Sequence, residues 1–135
     1  MRIWDPSEGA AVLESAPVVA FAPTTDLGRA RAFFGGVLGL PVRAEDGFAC
    51  VFDANGTQLR VSLVEQLTPA PFTILGWTVP DARAAAHELV ERGVELVRVE
   101  GIGQDEAGVW TAPGGARVVW FHDFDGNTLS VTQEP

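Results

Sequence analysis

Trp120-Phe121-His122-Asp123-Phe124-Asp125-Gly126-Asn127-Thr128-Leu129-Ser130-Val131 consists of two apolar-rich strand runs on either side of an Asp-Gly turn. That dipeptide between such runs is a strong hairpin signal, because glycine takes a positive φ without steric cost. The same device stands earlier, where Val51-Phe52-Asp53-Ala54-Asn55-Gly56-Thr57-Gln58-Leu59-Arg60-Val61 turns through Asn-Gly. Setting Gly56 on Gly126 brings Leu59 onto Leu129 and Val61 onto Val131, so the chain carries one unit twice.

The fronts of the two units also correspond. Val18-Val19-Ala20-Phe21-Ala22-Pro23-Thr24-Thr25-Asp26 and Phe72-Thr73-Ile74-Leu75-Gly76-Trp77-Thr78-Val79-Pro80-Asp81 each read as a strand ending at a helix N-cap. An aspartate oxygen at Asp26 or Asp81 accepts the free N–H groups of a first helical turn. Helices are predicted over about 27–38 and 82–92, each closed by a glycine, Gly39 or Gly93. Ala30, Phe33, Phe34 and Val37 form one apolar face, although Gly35-Gly36 weakens the last turn. Ala82, Ala85, Ala86, Leu89 and Val90 form the other apolar face, with His87 and Glu91 on the solvated side. Leu40-Pro41-Val42 and Val94-Glu95-Leu96 are expected strand starts. Phe48–Phe52 reads as a strand covered on both faces. Thr57–Val64 alternates, with Gln58, Arg60 and Ser62 on one side. Pro113-Gly114-Gly115 signals a further hairpin, so an extra short strand is expected in the second unit. Asp123–Asn127 has neither the length nor the terminal glutamate of a calcium loop and reads as a turn.

The division that follows is one domain over 1–135. It comprises an N-terminal arm at 1–16 that carries Trp4, a first unit at 17–66 and a second at 72–133, with Thr68-Pro69-Ala70-Pro71 in the linker. The formal charge is −9 and all nine basic residues are arginine, so no basic stripe for nucleic acid exists. No apolar run is long enough for a membrane span, and no apolar stretch follows Arg2, so no signal peptide and a cytoplasmic location are expected. The lone Cys50 excludes an internal disulfide and reads as a small buried hydrophobe.

The order and duplication of Thr25-Asp26-Leu27, Ala32-Phe33-Phe34, Val37-Leu38-Gly39-Leu40, Arg92-Gly93-Val94 and Phe121–Asn127 resemble the vicinal oxygen chelate superfamily, which includes glyoxalases, bleomycin-resistance proteins and extradiol dioxygenases. Phe34 stands where that family often has tyrosine, and Phe124 where it often has proline. The resemblance implies an α+β fold of two βαβββ units, forming an open, cup-shaped mixed β-barrel with flanking helices. It also implies a homodimer. Metal-using members place His, Glu or Gln ligands on the first and last strands of each unit. Here those positions fall on Val19, Arg60, Ile74 and Ser130, which are not a ligand set, so no metal and no other cofactor is expected.

The expected cup lining contains Phe21, Gln58, Arg60, Ser62 and Ser130, together with Val19, Ile74, Gly76, Thr128 and Thr132. Trp120 and His122 share a face on the neighbouring strand, and Trp77 and Trp110 are placed at the rim, although Trp77 alternates away from Ile74 and Gly76. Arg60 can fork onto a carboxylate, phosphate or enolate oxygen, or serve a salt bridge. His122 is the candidate neutral-pH proton carrier of the cup, or else an exposed strand histidine. Two functions follow. One is a metal-free protein that binds a small organic, possibly aromatic, molecule for sequestration or resistance; the acidic surface would suit a cationic compound. The alternative is a glyoxalase-like lyase, isomerase or dioxygenase-type enzyme, more readily metal-independent, with His122 and Arg60 as catalytic residues. The residues themselves leave open whether any reaction is catalysed and which ligand is bound.

Overall fold

The computed structural model describes residues 11–135; most of the N-terminal arm, including Trp4, lies outside the described residues. The first unit comprises β1 (Val19–Thr24), α1 (Leu27–Ala30), a π-helical continuation (Arg31–Val37), β2 (Val42–Glu45), β3 (Ala49–Ala54) and β4 (Thr57–Leu63). The second comprises β5 (Thr73–Thr78), α2 (Ala82–Glu91), β6 (Trp110–Thr111), β7 (Arg117–His122) and β8 (Thr128–Gln133). The sheets are ordered β1-β4-β3-β2 and β5-β8-β7-β6. In each, the first strand runs parallel to the last and the remaining pairs are antiparallel. This is the α+β fold of two βαβββ units, each with its own four-stranded mixed sheet.

Local chemistry sets the elements. Asp26 and Asp81 cap the helices by accepting from the N–H groups of Arg29 and Ala84, each at 3.0 Å. Gly39 and Gly93 follow the helices at φ 76° and 84°, a region in which only glycine is unstrained. The Asn55-Gly56 turn has both residues at positive φ, and Asp53 accepts from the Gly56 N–H at 2.7 Å. Alternation along β4 sends Leu59 and Val61 into the core beneath the fully buried Phe33 and Phe34. In the second unit Val119, Phe121, Leu129 and Val131 lie under Ala82, Ala86 and Leu89. Each such large apolar side chain contributes roughly 1.5–3 kcal/mol on burial.

Two elements depart from expectation. The first helix is α-helical for only one turn and then widens, with the Leu38 N–H donating to Phe33 O five residues back. Gly35-Gly36 sits in the widened part, where the lack of side chains lowers the cost of leaving α geometry. Val94–Leu96 does not form a strand. It reaches β7 through a single bridge, Leu96 to Phe121, and through hydrogen bonds from Val97 N–H to Trp120 O and from His122 N–H to Glu95 O. The edge position held by β2 in the first unit is therefore shared between this stretch and β6. The intervening loop is held by Gln104, whose side chain bonds Val97, Val99 and Gly108 backbone groups.

The last turn joins the units. Asp123 accepts from the N–H groups of Asp125 and Asn127 and from Asn127 Nδ2, at 2.8–2.9 Å. This folds the turn, and Asn127 Nδ2 also donates to Pro23 O. Asp125 is then presented to the first unit, where it accepts from Thr24 Oγ1 and Arg29 Nη2, each at 2.6 Å, and from the Thr25 N–H at 3.3 Å. Phe124 packs edge-on against Phe33 with ring centroids 4.9 Å apart. The acidic oxygens of this turn are thus engaged with donors.

Candidate functional site: the inner face

Both helices lie on one side of the paired sheets. At the end of α2, Arg92 Nη1 donates 2.8 Å to Val37 O at the end of the first helix. The opposite sides therefore form one inner face, and pairing registers determine which residues reach it. On β4, Arg60 stands beside Phe21 of β1 and Val51 of β3; Gln58 pairs with Val19 and Asp53, and Ser62 with Pro23 and Ala49. Leu59 and Val61 between them are fully buried on the helix side, so Gln58, Arg60 and Ser62 face inward.

In the second unit, Ser130 of β8 pairs with Trp120 of β7, Thr128 with His122, and Val118 with both Thr132 and Trp110 of β6. Val119 and Phe121 point to the core, which places Trp110, Trp120, His122 and Ser130 on the inner face. The Trp110 and Trp120 rings lie 5.8 Å apart at 32°, a tilted aromatic pair. Gly76 shares this face. A Cβ there would lie 2.9 Å from Ser130 Oγ, so the absence of a side chain lets β5 lie close beside β8.

Two expected positions are corrected. Trp77 pairs with Val131 on the helix side and stacks on Phe121, with centroids 6.3 Å apart, so it neither lines the inner face nor stands at its rim. The pleat requires this, because Trp77 is one residue from the inward Gly76. Ile74 lies where the β5 register slips between Thr73 and Leu75 and packs against the core.

The inner face is largely open to solvent: Phe21 is 61% exposed, whereas Ser130 is buried. Arg60 is half-buried and, among the described residues, makes no hydrogen bond or ion pair. The weak Coulombic influence of its guanidinium reaches Asp46, whose carboxyl is held below the usual range mainly by the N–H groups of Phe48 and Ala49. His122 Nδ1 lies 4.0 Å from Glu95 Oε1, and both side chains reach solvent. Among the described residues no three His, Cys, Asp or Glu side chains converge on a common point. Val19, Ile74, Arg60 and Ser130 together supply one hydroxyl and a cation, which do not fit a divalent metal. His87 and Glu91 are exposed on α2.

A second concave feature had no counterpart in the sequence reading. On the helix side, an apolar cleft of about 290 Å³ separates the end of the first helix from α2, with Trp77 and Phe121 in its floor. The alternation of Trp77 away from Gly76 was the available signal. No described helix is long and apolar enough to cross a membrane.

No protein-family model matches the chain. No curated protein matches it. Solved structures do. A glyoxalase/bleomycin resistance protein from Catenulispora acidiphila superposes with a TM-score of 0.66 at 23% identity, covering 90% of this chain and 100% of that one. Lactoylglutathione lyase from Agrobacterium tumefaciens gives 0.64 at 18% identity over 88% and 93% of the two chains. A genomically encoded fosfomycin resistance protein from Listeria monocytogenes gives 0.63 at 18% identity over 90% and 94%. The chain has the fold of the glyoxalase/bleomycin resistance/dioxygenase superfamily, the vicinal oxygen chelate fold.

Proposed function

We propose that this protein binds a small aromatic organic molecule on its inner face without a metal, as a cytoplasmic sequestering or resistance protein that works as a homodimer. The observation that carries the reading is Arg60. A half-buried guanidinium flanked by Phe21 and Val51, with no partner among the described residues, has its donors free for an anionic or strongly polar oxygen of a ligand. The same face offers the tilted Trp110–Trp120 pair as an apolar platform and Ser130, Ser62 and Gln58 as hydrogen-bonding groups. Apolar walls with a few polar groups are what small-molecule sites require. A planar guanidinium also selects oxygen anions by a two-point fork.

The test uses 2-naphthoate, which combines a flat ring system with a carboxylate. Titration should change tryptophan emission, and Arg60→Ala should weaken binding by roughly 1.5–3 kcal/mol, the range for a hydrogen bond to a charged group, or about 10- to 150-fold in Kd. Loss of a copurifying small molecule from Arg60→Ala, read by native mass spectrometry, would point the same way. Unchanged affinity in the variant would remove Arg60 from the site and the reading with it.

The enzymatic alternative draws on His122. Its imidazole stands on the inner face 4.0 Å from the Glu95 carboxylate, near it but beyond hydrogen-bond distance. That reading requires turnover abolished by His122→Gln and restored by no added metal.

A further inference from the structure

We infer that the cleft on the helix side is a second binding site, which takes a neutral, flat, bicyclic molecule independently of the inner face. Its volume, about 290 Å³, is roughly twice that of an engineered apolar cavity of ~150 Å³ that takes up benzene. Its walls are Leu38 and Leu40 from the first unit and Trp77, Val79, Leu89 and Phe121 from the second. Trp77 lies nearly parallel to Phe121, at 25°, which leaves an aromatic face for offset stacking.

Charge complementarity fixes the neutrality of the ligand. The charged side chains at the cleft are Glu88 and Arg92, and they are spent on each other: Arg92 Nη2 lies 3.0 Å from Glu88 Oε1. The other end of the guanidinium is occupied by Val37 O. An ion entering the cleft would find that charge already offset, whereas a neutral ring needs no counter-charge.

A second observation is independent of the volume. The first helix is π-helical over Arg31–Val37, and the residues it delivers to the cleft, Val37 and Leu38, lie at its widened end. Such widening costs helix stability and is found frequently at functional sites. The Val37 carbonyl, unpaired as the last carbonyls of any helix are, accepts from Arg92, which ties the two walls together. The cleft therefore spans the two units, and a molecule within it bridges them.

The experiment uses the full chain and 2-naphthol, the neutral counterpart of 2-naphthoate at pH 7. The Trp77 indole N–H is identified in an amide-correlation NMR spectrum by its loss in Trp77→Phe. Addition of 2-naphthol should shift that signal saturably, with one equivalent bound. Ala85→Phe, which fills the cleft from α2, should weaken binding at least tenfold, and Val79→Phe supplies a second block should the first variant fold poorly. Arg60→Ala should leave 2-naphthol binding unchanged, while Ala85→Phe leaves 2-naphthoate binding unchanged, so failure at one site is distinguishable from failure at the other. Absence of a saturable shift, or equal affinity in a folded blocked variant, overturns the inference. A Trp77 signal that moves with protein dilution and not with 2-naphthol would identify a second copy of the chain as the occupant and overturn it equally.

Discussion

Replacing Asp125 by alanine should loosen the junction between the two units, and its magnitude can be worked from four contacts. The side chain is only 4% exposed and accepts from Thr24 Oγ1 at 2.6 Å, from Arg29 Nη2 at 2.6 Å and, at the exposed edge, from Thr25 Oγ1 at 3.2 Å and the Thr25 N–H at 3.3 Å. The Arg29 side chain is 41% exposed, so solvent screening limits that pair to about 1 kcal/mol or less. The Thr24 contact differs: Thr24 is fully buried, and its hydroxyl loses a charged acceptor, at about 1.5–3 kcal/mol. Relief of carboxylate burial offsets part of this, leaving an expected loss of about 2–3 kcal/mol. Asp125→Asn retains an acceptor for Thr24 and should cost about 1 kcal/mol. Urea unfolding at pH 7, monitored by circular dichroism, measures both variants. A double-mutant cycle with Thr24→Val should give a coupling above about 1 kcal/mol. A loss below about 0.5 kcal/mol in Asp125→Ala, or no coupling to Thr24, would refute the argument that this turn clamps the units.

The same carboxylate sets an acid limb. Burial opposes its ionisation, but the hydrogen bonds from Thr24, Arg29 and Thr25 outweigh burial and hold its carboxyl below the usual range. Its contribution is therefore complete above the unfolded value near pH 4 and is lost as pH falls through the lower folded value, so parent and Asp125→Ala should converge in stability as pH falls below about 4. Asp123 has the opposite sign. Burial pushes its carboxyl up against the bonds from Asn127 and Asp125, so its contribution is complete below the unfolded value and lost as pH rises through the folded one; acid unfolding of Asp125→Ala should start from a flatter profile than the parent's. Gly76→Ala places a Cβ 2.9 Å from Ser130 Oγ and 3.3 Å from Ser130 O, and should cost about 1–3 kcal/mol by differential scanning calorimetry. Light scattering should give twice the chain mass of 14.3 kDa, and a monomer mass would remove the dimer from the proposed function.

The fold was legible because two periodicities repeat. Leu59 and Leu129 are both fully buried, as their superposed hairpins require, and each first strand runs parallel to its hairpin's second arm. Alternation placed Gln58, Arg60 and Ser62 on the face away from the core, and it also carried the contrary indication for Trp77. A rim position for Trp77 needed a break in the pleat between Gly76 and Trp77, and none occurs there. Ile74 was misplaced for a different reason: the register slip in β5 adds a residue that no sequence pattern marks. Gly35-Gly36 marked the weak end of the first helix and Pro113-Gly114-Gly115 the extra strand β6, whereas the share of the edge position taken by residues 94–96 was hidden, since it comes from packing between segments. The Asp125 clamp was the least legible feature. Its partners lie about 100 residues away, and an aspartate before a glycine reads from local chemistry as turn-forming and nothing more.

The position of Arg60 also bears on how an inner-face ligand would be selected. The chain carries a formal charge of −9, so its long-range field draws cations and repels anions. That field decays over roughly 8 Å at physiological salt, whereas a guanidinium contact acts at hydrogen-bond distance. The two terms favour different ligands at different ranges. An anionic molecule arrives against the field and is held only if it reaches Arg60, while a cationic one arrives easily and meets a like charge between Phe21 and Val51. A ligand that satisfies both carries a local anionic or polar oxygen on a larger body with little net negative charge. Its affinity must then come chiefly from apolar area laid against the Trp110–Trp120 pair, because that contribution is indifferent to the field. On the proposed reading, Arg60 would set orientation and the aromatic pair strength.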